Sequence, residues 1–359
     1  MKLGKKFWLS LTVFSLVGQV AWVIENMYFN VFIYKMFAAS PRDIATMVTA
    51  SAVAATVTTL LIGALSDKVG KRKIFISGGY ILWGISIAAF ALLRVDLISS
   101  VIPVAASAAS VGITLVIILD CVMTFFGSSA NDACFNAWLT DSTDSTNRGA
   151  AEGINAMMPL VAILVVFGST LGMDNGNPHA WSIFFGIMGA VVILNGILGF
   201  FIIKEPALTV SRNERYFVNI IYGFRPSVIK TNKTLYASLG AFAVFGISIQ
   251  IFMPYLILYY TEALNLDNYV LIMAPAVILA AISTVFYGRL YDKYGFAKTI
   301  LPTLAMLCAG YVLFCLFTNT AMVFVASLLM MCGYLCGMAV FGALIRDYTP
   351  ENKAGRFQG

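Results

Sequence analysis

Charge is scarce in this sequence. Only 11% of its 359 residues are Asp, Glu, Lys or Arg, where a soluble globular chain carries about a quarter, and that shortage excludes a water-soluble domain with an ordinary solvated surface. Histidine is rarer still: His179 is the single one, and it lies in a polar break between apolar runs, so histidine chemistry is out of reach of the apolar interior. The six cysteines, Cys121, Cys134, Cys308, Cys315, Cys332 and Cys336, all lie inside apolar runs. Cys332 and Cys336 share a helix face, yet they read as small buried hydrophobes and not as a metal pair. No G-x-x-x-x-G-K-[ST] phosphate loop, no nucleophile with a histidine partner and no metal-ligand cluster occurs. The sequence therefore offers no enzyme site and implies no cofactor and no metal.

What is present is apolar length. Hydrophobic residues make up 60% of the chain, and the mean hydropathy is +0.87. A hydrocarbon core of roughly 30 Å needs about 20 apolar residues per helix, and ten runs of that order appear: Phe7–Tyr34, Ile44–Leu65, Ile74–Leu93, Val111–Trp138, Ile154–Leu171, Trp181–Ile203, Leu235–Tyr260, Tyr269–Phe286, Ile300–Phe317 and Ala321–Leu344. Unpaired backbone amides are not tolerated in lipid, so these runs predict helices and the fold class is an all-α membrane protein. Leu97–Ser110, with small residues and Pro103, reads as loop or interfacial structure. Lys2, Lys5 and Lys6 precede the first run as in a secretory signal, but the run exceeds the 7 to 15 residues or so of a cleaved apolar core. It is expected to stay as the first helix.

Of the 23 Lys and Arg, all but Lys35, Arg42 and Arg94 fall in the segments that share a side with the N-terminus. The positive-inside rule then predicts a cytoplasmic N-terminus in the cytoplasmic membrane. The net charge of +6 reflects this topology and contact with the lipid bilayer; nothing points to nucleic acid.

The chain also repeats itself. "GALSDKVGKRK" (Gly63 to Lys73) and "GRLYDKYGFAK" (Gly288 to Lys298) both fit G-x-x-x-D-[RK]-x-G and both join two predicted helices on the basic side. More loosely, "AWLTDSTDSTNRG" leaves the fourth run and "ALIRDYTPENKAGR" leaves the tenth, each with an aspartate (Asp141, Asp347) followed by an arginine (Arg148, Arg356). Residues 1–203 thus form a six-helix half, 204–234 a linker, and 235–359 a four-helix half. In the linker, Ser211 and Glu214 make a capping box ahead of Phe217, Ile220, Ile221 and Phe224, which predicts a short amphipathic helix on the inner membrane surface.

With its paired loop motifs, two halves and central linker, the chain resembles the major facilitator superfamily of secondary transporters. The resemblance implies a bundle of two pseudo-symmetric halves with twelve helices, of which ten are present here; an eleventh would start just after Arg356, so a chain lacking its last two helices is expected. It also implies that Gly63, Asp67, Lys68, Gly70, Lys71 and Arg72, with Gly288, Asp292, Lys293, Gly295 and Arg148, form the gating loops. On this reading Asp292 approaches the start of the fifth helix near Gly149 to Glu152, and Asp67 approaches that of the eleventh. The second loop departs from the pattern after Gly295, where Phe296 and Ala297 replace basic residues.

Ionisable groups at membrane depth are costly and functional by default. In the first run Gln19, Trp22, Asn26 and Asn30 fall within about 80° of one another at helical spacing, with Glu25 beside them. The fourth run carries Asp120, Thr124, Gly127, Ser128 and Asn131 on one third of its circumference, whereas Asp132 points elsewhere. First and fourth helices line the central cavity in the family the chain resembles. Glu25 and Asp120 are then expected to couple H⁺ or Na⁺, and Trp22 to stack on a sugar-like solute whose hydroxyls reach acid and amide acceptors. Gln250, near Pro254, is the polar candidate of the second half. Among the superfamily's branches, the glutamate-bearing first helix and acidic fourth helix look most like glycoside-pentoside-hexuronide cation symporters. The expected function is cation-coupled uptake of a small polar solute by alternating access, with a midplane site and no obligate protein partner. Efflux of amphipathic compounds, and a non-transporting receptor, scaffold or inactive fragment, are the alternatives.

Overall fold

A computed structural model describes residues 3–101, 105–144, 147–205, 225–266 and 268–348. Among them, ten helices are long and apolar enough to cross a membrane. They are α1 (Lys5–Phe37), α2 (Pro41–Val69), α3 (Arg72–Ala89), α4 (Ala105–Gly127, continuing through Ser128–Phe135 into Asn136–Ser142), α5 (Arg148–Thr170), α6 (Pro178–Ile202), α7 (Lys233–Gln250, continuing after a break to Tyr259–Ala263), α8 (Val270–Tyr294), α9 (Phe296–Leu316) and α10 (Thr320–Tyr348). The chain divides into two compact units: Met1–Val166 with Gly172–Phe217, and Phe167–Leu171 with Val218–Gly359. The amphipathic linker helix expected over Ser211 to Phe224 lies outside the described residues.

Local chemistry explains the ends. Ser40 and Asp43 form a reciprocal capping box with Pro41 in the first turn, starting α2 at the point where the chain re-enters the apolar layer. Gly70 ends α2 in the left-handed region (φ 66°), a conformation that a side chain would disfavour. The segment after α3 is more helical than its composition predicts. Val95–Val101 is a short helix, begun by Arg94, whose guanidinium grips Asp96 at 2.6 Å, and Ser99 and Ser100 bond back to carbonyls three residues earlier. In α7 the helix breaks at Ile251–Phe252, just ahead of Pro254, whose ring has no N–H to continue the ladder. Pro159 and Pro275, in contrast, stay inside continuous helices.

Helix contact in each unit depends on small residues, as expected where lipid supplies no hydrophobic drive between helices. In the first unit α3 and α6 meet through Gly84, Gly189 and Gly196; a Cβ on Gly84 would stand 2.6 Å from the Gly189 carbonyl oxygen. In the second, a Cβ on Gly310 would stand 2.6 Å from the Met330 nitrogen, so α9 and α10 touch backbone to backbone. Around the first unit's interface Phe29, Phe32, Phe90, Trp181 and Phe185 interlock, with Phe29 and Phe90 centroids 4.2 Å apart. This packing anchors α1, and α1 carries the polar site.

Candidate functional site

Two helices of the first unit change pitch where their polar residues cluster. Ile24–Tyr28 of α1 and Ser128–Phe135 of α4 are π-helical. A π turn closes i to i+5, so each residue rotates less than in an α-helix and side chains further along the sequence swing onto the polar face; such segments concentrate at functional sites. Asp132 illustrates the effect. Expected to point away, it instead accepts hydrogen bonds from Ser128 Oγ at 3.0 Å and Asn131 Nδ2 at 3.1 Å, and the Trp22 indole N–H is directed at it.

The structure brings Trp22, Glu25, Asp120, Thr124 and Asn131 together inside the first unit. Thr124 donates to Glu25 Oε1 at 2.9 Å, tying α4 to α1. Glu25 Oε2 and Asp120 Oδ1 are buried without a hydrogen-bond partner. Ser51 of α2 bonds to Asp120, and both Asp120 and Asp132 lie within electrostatic reach of Glu25. None of the three acids is ion-paired among the described residues. Carboxylates so buried, close to one another and without a base, need a bound proton or cation to balance them.

Hydrogen bonds and ring contacts tie the surrounding shell together. The Tyr80 hydroxyl of α3 lies 2.8 Å from Asn131 Oδ1 and 2.9 Å from the Phe14 carbonyl oxygen, linking α1, α3 and α4. The Trp22 and Trp83 rings sit 4.9 Å apart, and Gly127 admits both, since a Cβ there would meet Trp83 at 2.7 Å and Trp22 at 2.9 Å. Asn26 and Asn30 donate to the carbonyls of Trp22 and Asn26, each at 2.8 Å, so their amides serve the widened turn of α1 as well as its face. Gln19 is half-buried; Gln250 is exposed on α7, in the second unit.

The loop motifs carry a second arrangement. Arg72, 5% exposed, pairs with Asp141 at the end of α4 (3.1 Å) and bonds to Ser66, while Glu205 accepts from the backbone N–H groups of Arg72 and Lys73 at the start of α3. In the second unit Tyr291 donates to Asp347 at 2.6 Å. Ser66 and Tyr291 each precede the motif aspartate, and in each unit a loop residue, Arg72 or Tyr291, holds the aspartate near the end of a later helix, Asp141 or Asp347. Gly63, Lys68, Lys71, Gly288, Asp292 and Lys293 are half-buried or exposed around these bonds, and Gly295 (φ 73°) begins α9. The side chains of Asp67 and Arg148 lie outside the described residues. Sequence reasoning missed Tyr80, Trp83, Ser51 and Glu205; only Asp132 carried a signal, as the last member of an Asp120, Thr124, Ser128, Asp132 ladder spaced by four.

Ten membrane-length helices among the described residues, with buried acids held between helices of the first unit, mark a multi-pass membrane protein. The chain belongs to the Major Facilitator Superfamily, whose family model matches residues 8–359. No curated protein matched it in sequence. Among solved structures it is similar to a bacterial homologue of the human lysosomal transporter Spinster, at 16% identity over 97% of this chain and 78% of that one, TM-score 0.69. It is also similar to the nucleoside transporter NupG (13%, 94% and 80%, TM-score 0.69) and to a D-xylose-proton symporter (14%, 98% and 89%, TM-score 0.65). At these identities the likeness is one of fold. Membership in this superfamily makes the chain a transporter and not an enzyme.

Proposed function

We propose that this chain is a secondary active transporter that works by alternating access and couples entry of H⁺ or Na⁺ to uptake of a sugar or another small polar solute across the cell membrane. The observation that carries the reading is the pair of buried, unpartnered carboxylate oxygens on Glu25 and Asp120. A site with two such oxygens and no base is completed by a cation, and loading it changes the charge that α1 and α4 must hold in the apolar layer. Trp22, Asn26 and Gln19 supply the aromatic face and amides that suit a hydroxyl-rich solute. Fold relatives described as a nucleoside transporter and a D-xylose-proton symporter support that solute class. In the gating loops, Arg72 with Asp141 and Tyr291 with Asp347 fasten each motif to its own unit, and the family resemblance assigns Asp67 and Asp292 to the contacts that change between states.

The test is uptake of labelled D-xylose and uridine into proteoliposomes carrying the chain. Accumulation should require an imposed H⁺ or Na⁺ gradient, and Glu25→Gln should abolish accumulation. Gradient-independent uptake, or uptake indifferent to E25Q, would defeat the coupling. Export of amphipathic cations insensitive to Gln19→Ala and Asn131→Ala would point to the efflux alternative.

A further inference from the structure

The second loop motif departs from the first where Phe296 and Ala297 stand in place of basic residues, and the exchange frees the cations that remain. In the first loop the Arg72 guanidinium is taken up by Asp141. In the second, Asp347 accepts the Tyr291 hydroxyl instead, and the Phe296 ring packs against Phe341 of α10. Arg289, Lys293 and Lys298 are exposed, and their side chains form no ion pair among the described residues.

They meet aromatic rings. Lys293 Nζ lies 5.1 Å and Lys298 Nζ 6.0 Å from the centroid of the same ring, Tyr294, and the Arg289 guanidinium lies 6.0 Å from that of Phe286. A tyrosine ring attracts cations through its quadrupole, so Tyr294, itself 47% exposed, gathers one ammonium from the end of α8 and one from the start of α9. Two like charges brought to one ring repel each other, and an anion between them relieves that repulsion. An apolar stripe leads up to the cations. At 100° per residue Ile282, Phe286, Arg289, Leu290 and Lys293 fall within about 100° of one another on α8, and the three apolar members are exposed. Asp292, the one acid of the motif, lies about 60° beyond Arg289, off this arc. A helix face that is apolar along its length and basic at its end complements a molecule with an anionic head and hydrocarbon tails.

We propose that the α8–α9 loop binds the headgroup of an anionic phospholipid, with its phosphodiester between Lys293 and Lys298 at the Tyr294 ring, Arg289 beside it, and an acyl chain along Phe286 and Ile282. Long basic side chains at the end of a spanning helix reach headgroup level while their stems stay on apolar surface. The charge distribution assigns this loop to the side of the N-terminus, where the leaflet is rich in anionic lipid. Diffuse attraction to that leaflet makes no distinction among lysines, whereas a site organised by one ring does. The inference does not rest on the transport reading, because neither solute nor coupling ion enters it.

Native mass spectrometry of the detergent-solubilised chain, titrated with dioleoylphosphatidylglycerol and with dioleoylphosphatidylcholine, tests the site. The anionic lipid should bind, and the zwitterionic one, which has the same chains and phosphate, should not displace it. Lys293→Gln and Lys298→Gln should each weaken binding about fivefold, and Lys293→Arg should keep it. Tyr294→Leu, which leaves every charge in place, should weaken it about two- to fivefold. Lys5→Gln combined with Lys6→Gln removes two exposed cations elsewhere on the same side and should leave binding unchanged. All the substituted positions are exposed, and melting temperatures check that each variant folds. Equal affinity for the two lipids, full binding by Y294L, or an equal loss in the Lys5 and Lys6 variant would overturn the site in favour of diffuse surface charge. Displacement of phosphatidylglycerol by inorganic phosphate alone would overturn the lipid as its occupant.

Discussion

Gly18 is a single position on which the site's geometry turns. A Cβ there would collide with Asn131 Oδ1 and with the Tyr80 hydroxyl, the two groups whose bond links α3 to α4 beside Asp132. Gly18→Ala should therefore destabilise the chain by about 1–3 kcal/mol through overpacking, and should displace Asn131 from Asp132; melting in detergent reads the first effect, and the infrared band of Asp132 the second. In the segment after α3, hydrogen bonds from Arg94 hold the Asp96 carboxyl below the usual carboxylate range. A carboxylate whose folded value is lowered contributes stability above its unfolded value and loses it as pH falls through the folded one. Asp96→Asn should accordingly melt below the wild type near neutral pH, with the difference disappearing in acid. Gly18 was not legible beforehand, since its role depends on which side chains α3 and α4 present to it.

For the elements, pitch and capping decide. An α-helical wheel gathers Asp120, Thr124 and Asn131 on one face of α4, but puts Asp132 on another because it assumes one pitch throughout α4. The π-helical stretch Ser128–Phe135 breaks that assumption. At the start of α3 and the end of α4, Arg72 fastens the two helices through Asp141, with the arginine side chain 6% and the aspartate 25% exposed. Removing one member of a fully buried pair costs about 3–5 kcal/mol; allowing for the solvent that reaches Asp141, Asp141→Asn should cost about 2 kcal/mol. A double-mutant cycle with Arg72→Gln, read by melting temperature, should show that the two losses do not add. Additive losses would mean that the pair contributes nothing of its own.

Over the whole molecule, topology is the property most open to direct measurement. The loop bearing Lys71 and the break bearing His179 should lie on opposite sides of the membrane. In a cysteine-depleted background, Lys71→Cys should react with a membrane-impermeant maleimide only in inverted vesicles, and His179→Cys only in intact cells. Labelling of both from one side would overturn the ten-span reading of the charges. That reading was available from the sequence because lipid imposes it: twenty apolar residues with satisfied backbones leave few structures other than a helix, and lysine and arginine mark one side.

The sequence by itself determined the ten spanning helices, their expected orientation, the duplicated loop motif and the presence of acids at membrane depth, because hydropathy, charge and repetition act locally or statistically along the chain. Tertiary structure decided which of those acids share one network, that Asp132 belongs to it, and that Arg72 and Tyr291 fasten each loop to the aspartate ending a later helix. These outcomes depend on helix pitch and on contacts between residues far apart in the chain, such as Tyr80 with Asn131 and Arg72 with Glu205, and no periodicity within one helix encodes its partner's rotation.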